Sequence, residues 1–155
     1  MSADPKERLE FAGSFTELVV YRKARALSRG VFQITKRFPK EEAYALTDQW
    51  WRAARSIGAQ IAEAWAKRRY PIHFTSKLSD ADGEQCETQH WTIVAFDDGY
   101  ISREEAQSLG GLAQEIGRML GAMIQNAASF RGEEHTSVFR EDSPPFDPED
   151  LNTEH

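Results

Sequence analysis

Between Asp48 and Trp65, the apolar residues Trp50, Ala54, Ile57, Ile61 and Ala64 recur at steps of three and four, which lays them along one face of a helix. The helix is small-sided. Ala53, Ala54, Ser56, Gly58, Ala59 and Ala62 carry little bulk, so neighbouring helices can approach closely, and a bundle arranged around this segment is predicted. Upstream, Val20, Ala24, Leu27, Val31, Ile34 and Phe38 form a second stripe, on a helix expected to start near a cap at Ser14 or Thr16 and to stop at Pro39. The opposite side of that helix carries Arg22, Arg25, Arg29, Gln33 and Lys36, and no acid occurs between Val20 and Lys40.

Lys67-Arg68-Arg69 places cations where a second helix should end, and Pro71 suits the first turn of a third. Its inward positions are predicted as Phe74, Leu78, Ala81, Gln85, Thr88, Trp91 and Ala95, with Asp97-Asp98-Gly99 as the stop. Ser102 and Glu105 have capping-box spacing and open a fourth helix bearing Leu109, Leu112, Ile116, Leu120, Met123 and Ala127. Gly110, Gly111, Gly117 and Gly121 lower its intrinsic propensity, which predicts close contacts there. No strand-like alternation and no internal repeat interrupts this order. The fold class is therefore all-α, an antiparallel up-down-up-down four-helix bundle over residues 15–131, with an irregular lead-in at 1–14 and an acidic, proline-containing tail at 132–155, extended or disordered.

Charge divides along the chain. The formal net charge is -6, but Glu133 to His155 hold eight acids against one base, Arg140, leaving 18 bases and 17 acids in residues 1–132. The body is nearly neutral and the acidity lies in the tail. The single cysteine, Cys86, excludes an intramolecular disulfide, fits a reducing cytosol and is expected to be a packed thiol. The N-terminus has no apolar run after its charges, and no segment approaches the ~20 apolar residues of a membrane span, so a cytoplasmic protein without membrane attachment is expected.

Several pieces together resemble a known family, the four-helix-bundle proteins named for open reading frames in intervening sequences of bacterial 23S ribosomal RNA genes. They are Leu18-Val-Val-Tyr21-Arg-Lys-Ala24, Thr35-Lys-Arg-Phe38-Pro39, Arg52-Ala-Ala-Arg-Ser56-Ile57, Ala59-Gln60-Ile61-Ala62-Glu63, then Phe74, Leu78, Ala81, Gly83, Glu87 and the Gly99-Tyr100-Ile101 turn. The likeness covers about Phe15 to Phe130. It departs at Ala64, where the family usually has glycine after Ile-Ala-Glu, and at Glu84, where serine often follows Gly83. The resemblance implies a left-handed bundle and a ring of five subunits; one relative, the accessory protein of diversity-generating retroelements, is a basic pentamer that binds nucleic acid and a reverse transcriptase.

Five groups of residues are candidates for function. Arg22, Arg25, Arg29 and Lys36, extended by Arg37 and Lys40, are a candidate phosphate-contacting stripe, against the plainer reading of a solvated face. Glu63 and Glu87 belong to the family pattern and, set near apolar neighbours, need partners; Arg52, Arg55 or Arg68 are expected to supply them in a polar network fixing register or subunit contacts. Trp50 and Trp51 point about 100° apart, so one is expected in the core and the other against a neighbouring subunit, with Trp65 and Trp91 as further interface candidates. Glu87-Thr-Gln-His90 has the form of half a di-iron motif without a second copy, and Cys86 with His90 lacks an orienting group, so neither a metal, a cofactor nor catalysis is predicted. Phe139, Phe146 and Leu151 among the tail acids form either a passive extension or a short docking segment for a basic surface of the same ring or of a partner. The sequence is read as a non-enzymatic homo-oligomeric scaffold or adaptor that takes a protein partner, with an RNA- or DNA-binding accessory factor as the alternative.

Overall fold

The computed structural model describes residues 13–129 and 145–149. Four helices, α1 (Val19–Thr35), α2 (Asp48–Ala66), α3 (Pro71–Asp97) and α4 (Arg103–Ser129), carry almost all of it, with no strand among the described residues. Sequential helices pack side by side and α1 returns to α4, closing the square of an up-down-up-down bundle. The lead-in at 1–12 and the tail at 130–144 and 150–155 lie outside the described residues.

α1 starts later than its capping residues implied. Ser14 caps a separate single turn, Phe15–Glu17, by accepting from the Thr16 amide at 3.3 Å, and Leu18 in extended geometry breaks the path before α1 begins. The helix ends at Thr35, short of Pro39, and a wider turn over Ala43–Thr47 leads into α2. Pro71 occupies the first turn of α3, as its fixed φ favours. At the far end of α3, Gly99 adopts φ 79°, with its amide on the Phe96 carbonyl at 3.0 Å and the Tyr100 amide on the Ala95 carbonyl at 2.9 Å. This is the paired closure that a left-handed residue permits at a helix end. The Ser102–Glu105 box then closes reciprocally, at 2.9 and 3.1 Å.

The core runs the length of the square: Val20, Leu27 and Val31 from α1, Trp50, Ile57 and Ile61 from α2, Leu78 and Ala81 from α3, Ile116 and Leu120 from α4. α3 contributes Gln85, Thr88 and Thr92 as well, so its register corrects the expected Trp91 to Thr92, with Trp91 only half-buried. The threonines satisfy themselves by bonding the carbonyls four residues back, both at 2.8 Å. Gln85 donates to Asp82 at 2.8 Å, accepts from Gln89 at 2.6 Å and seats its amide against Gly117 of α4. One buried polar atom in the aromatic part of the core, the Trp50 indole nitrogen, has no partner among the described residues.

The four α4 glycines thus differ. A Cβ at 117 would stand 2.6 Å from the Gln85 amide nitrogen, whereas one at 121 would meet nothing within 4 Å. Gly117→Ala is expected to lower stability by about 1–2 kcal/mol, because overpacking against a hydrogen-bonded glutamine outweighs the gain in helix propensity. Gly121→Ala should raise it by about 0.5–1 kcal/mol, and thermal melts of the two variants check the contrast.

Candidate functional site

A furrow runs between α1 and α2 on the outside of the bundle, and its two halves differ in character. The half toward the N-terminus of α1 has a floor of Ala54, Gly58, Ala59 and Ala62 and a wall of Phe15 and Tyr21, enclosing about 250 Å³. These small side chains let the helices meet without filling the space outside them. Phe15 and Tyr21 pack edge to face with ring centres 4.9 Å apart, which fixes the wall.

The other half is cationic, encloses about 350 Å³ and is lined by Arg25, Arg29, Phe32, Gln33 and Arg55. Arg25 and Arg29 are one turn apart on α1, and α2 brings Arg55 across to them. The Arg55 guanidinium lies 5.0 Å from the Trp51 ring and 5.9 Å from Phe32, and the Lys36 ammonium lies 4.9 Å from Phe32. Trp51 is itself anchored, donating from its indole nitrogen to Thr35 Oγ1 at 2.7 Å. Among the described residues no ion pair joins Arg25, Arg29, Lys36 or Arg55 to an acid, so four cations share an aromatic step with their charge available.

The sequence-level stripe is therefore divided. Arg25 and Arg29 line the furrow and Lys36 lies over its Phe32 ring, whereas Arg22 donates to the Thr16 carbonyl at 3.4 Å and Lys40 stands exposed on the turn after Pro39. Arg37 is withdrawn from it altogether: its guanidinium pairs with Glu105 and donates to the Tyr100 carbonyl at 3.2 Å. Tyr100 in turn donates to Glu42 at 3.0 Å and packs on Phe38 at 5.2 Å, so this end of the bundle is closed by a polar and aromatic clasp.

Within the chain, the expected network of Arg52, Arg55, Glu63, Arg68 and Glu87 does not form. Glu63 pairs with Lys77 across α2 and α3 at 2.9 Å, Arg52 with Asp48 at 3.0 Å, Arg68 covers Trp65 and caps its carbonyl, and Glu87 accepts from Trp91. Glu63 and Glu87 are exposed and need no buried partner. Two of the interface tryptophans, Trp50 and Trp65, are buried in the chain's own core and offer no surface; Trp51 is half-buried in the furrow. Cys86 is exposed rather than packed, one position past the inward Gln85, and Glu87 and His90 share that outward side. No helix among the described residues is long and apolar enough to cross a membrane.

The model of the 23S rRNA-intervening sequence protein family matches residues 16–122. The chain belongs to that family. A solved structure from Bacteroides thetaiotaomicron, described as a protein with unknown function from the S23 ribosomal protein family, superposes with a TM-score of 0.63 at 29% identity, over 69% of this chain and 96% of the other. No curated protein matches it. Neither description names an enzymatic activity. The family match ends within α4, so the segment at 145–149 lies outside it, while the furrow residues other than Phe15 lie within it.

The clasp carries a pH dependence. The Arg37 hydrogen bond, helped by the Ser102 amide and opposed by partial burial, holds the Glu105 carboxyl down at about 2. A carboxylate held below its unfolded range stabilises the fold above about pH 4.5, and loses that contribution as pH falls toward 2. Glu105→Gln should therefore cost about 0.5–1 kcal/mol at neutral pH, with the gap to the parent narrowing to nothing near pH 2 in melts taken across that range.

Proposed function

We propose that this family member is a non-enzymatic, self-assembling scaffold, five copies forming a ring, and that the small-floored half of the furrow between α1 and α2 is where the copies meet. The observation that carries this reading is the uncovered floor of Gly58, Ala59 and Ala62 beside two aromatic walls. A groove of that shape accepts apolar knobs from another subunit at helix-packing distance, and burial there removes apolar surface from water. Large apolar side chains stand ready on the surface: Tyr44, Tyr70 and Ile72 are 88%, 62% and 69% exposed.

Ala59 is exposed on the outer side of α2, so a bulky substitution there leaves the bundle core untouched. Ala59→Arg is expected to reduce the light-scattering mass of the full chain from five times its own mass to one, with unchanged helicity. A parent chain that already runs at single-chain mass would overturn the reading.

The cationic half of the furrow favours a second reading, an RNA- or DNA-binding accessory factor. Arg25, Arg29 and Arg55 converge on an aromatic step, the combination that holds phosphates while offering a base a ring to stack on. Three phosphate contacts predict a slope of log affinity on log salt of about -2 for a single strand. Changing the three arginines to glutamine should abolish both the binding and the slope, and a filter or anisotropy titration reads it. Binding that survives with the same slope would remove the furrow from consideration.

A further inference from the structure

α4 makes two choices that its role in the bundle does not explain. It opens with Arg103 in the first turn, where the helix dipole disfavours a cation, and it places Gly110 in the helix interior, where glycine weakens the helix. Both face the segment Pro145–Glu149. The Phe146 ring lies directly over Gly110, leaving no room for even a methyl group there. The Phe146 amide donates to Gln114 Oε1 at 3.0 Å, Pro148 is buried, and the Arg103 guanidinium pairs with Asp147 at 3.5 Å and with Glu149. The Glu149 amide donates to Asp147 Oδ1 at 2.9 Å, folding the two carboxylates toward the one guanidinium and toward the positive end of the helix.

We propose that this face of α4 is a peptide receptor for a short segment of the pattern Phe-acid-Pro-acid, and that its occupant is the chain's own tail. Three features give it selectivity. The notch at Gly110 admits an aromatic ring, Gln114 holds the backbone beside that ring, and Arg103 reads the acids that follow. The tether reaches: residues 130–144 give about 50 Å of chain when extended, against about 28 Å of helix from residue 129 back to Gly110. Tethering also keeps the site filled, since attachment through 15 residues supplies an effective concentration of about 1 mM. A partner carrying the same pattern must therefore compete with the tail. This inference concerns α4 and does not rest on the assembly or nucleic-acid readings of the furrow.

The test uses the full chain, labelled for amide NMR, and a synthetic peptide of residues 143–151 as the probe. Phe146→Ala empties the notch, and the amides of Gly110 and Gln114 should shift relative to the parent. Adding the peptide to the Phe146→Ala chain should return those amides toward their parent positions, with an affinity at least about threefold tighter than for the parent chain, whose site is occupied. A second substitution, Gly110→Ala in the Phe146→Ala chain, should abolish the response while leaving the melting temperature equal or higher, and Arg103→Gln should weaken it. Identical Gly110 and Gln114 amides in parent and Phe146→Ala, or a peptide response that persists with Gly110→Ala, would overturn the proposal.

Discussion

The bundle depends on how little side chain α2 puts between itself and its neighbours. Ala53, Ala54 and Ala64 are each 1% exposed and flank Ile57 and Ile61, so the middle of this helix is packed close against α1 and α3. Bulk is held at the ends, where Trp50 stacks with Phe38 at 6.0 Å and Trp65 is covered by Arg68. That distribution has two consequences. Inside, α3 can afford polar inward residues, because Gln85 sits against a glycine of α4 and Thr88 and Thr92 bond their own helix. Outside, the same shortage of bulk leaves the furrow between α1 and α2 unfilled.

What was legible in the sequence is what is locally determined. Pro71, the Gly99 turn and the Ser102–Glu105 box specify backbone geometry within a few residues, and the α1, α2 and α4 stripes keep a clean helical period. The register at the end of α3 was not legible, because its inward face mixes threonine and glutamine with apolar residues and the period no longer separates Trp91 from Thr92. Partners of long cations were equally hidden. Arg55 belongs with Arg25 and Arg29 only because α2 lies beside α1, and Arg37 leaves the stripe only because the α3–α4 turn brings Tyr100 and Glu105 to it. Spacing along one helix carries no information about such cross-helix choices. Arg103 and Gly110 were the readable anomalies, two locally unfavourable residues on one face of α4 whose explanation lay more than thirty residues away.

Charge is distributed to match. The nearly neutral body concentrates available cations in the furrow and spends others on local closures, Arg37 at the clasp and Arg103 at the tail. The described tail acids, Asp147 and Glu149, go to Arg103, and among the described residues no acid pairs with Arg25, Arg29 or Arg55. The two surfaces are thus separate, one on α1 and α2 and one on α4.

On the proposed assembly, the furrow is buried between copies of the chain. Hydroxyl-radical footprinting of the full chain across a dilution series tests it most directly, since Phe15 and Tyr21 in the furrow wall and Phe38 and Tyr100 in the clasp report side by side. Oxidation of Phe15 and Tyr21 that rises on dilution, while Phe38 and Tyr100 hold constant, is the predicted result. Equal oxidation of the furrow residues at every concentration, in a chain whose mass shows assembly, would place the subunit contact elsewhere.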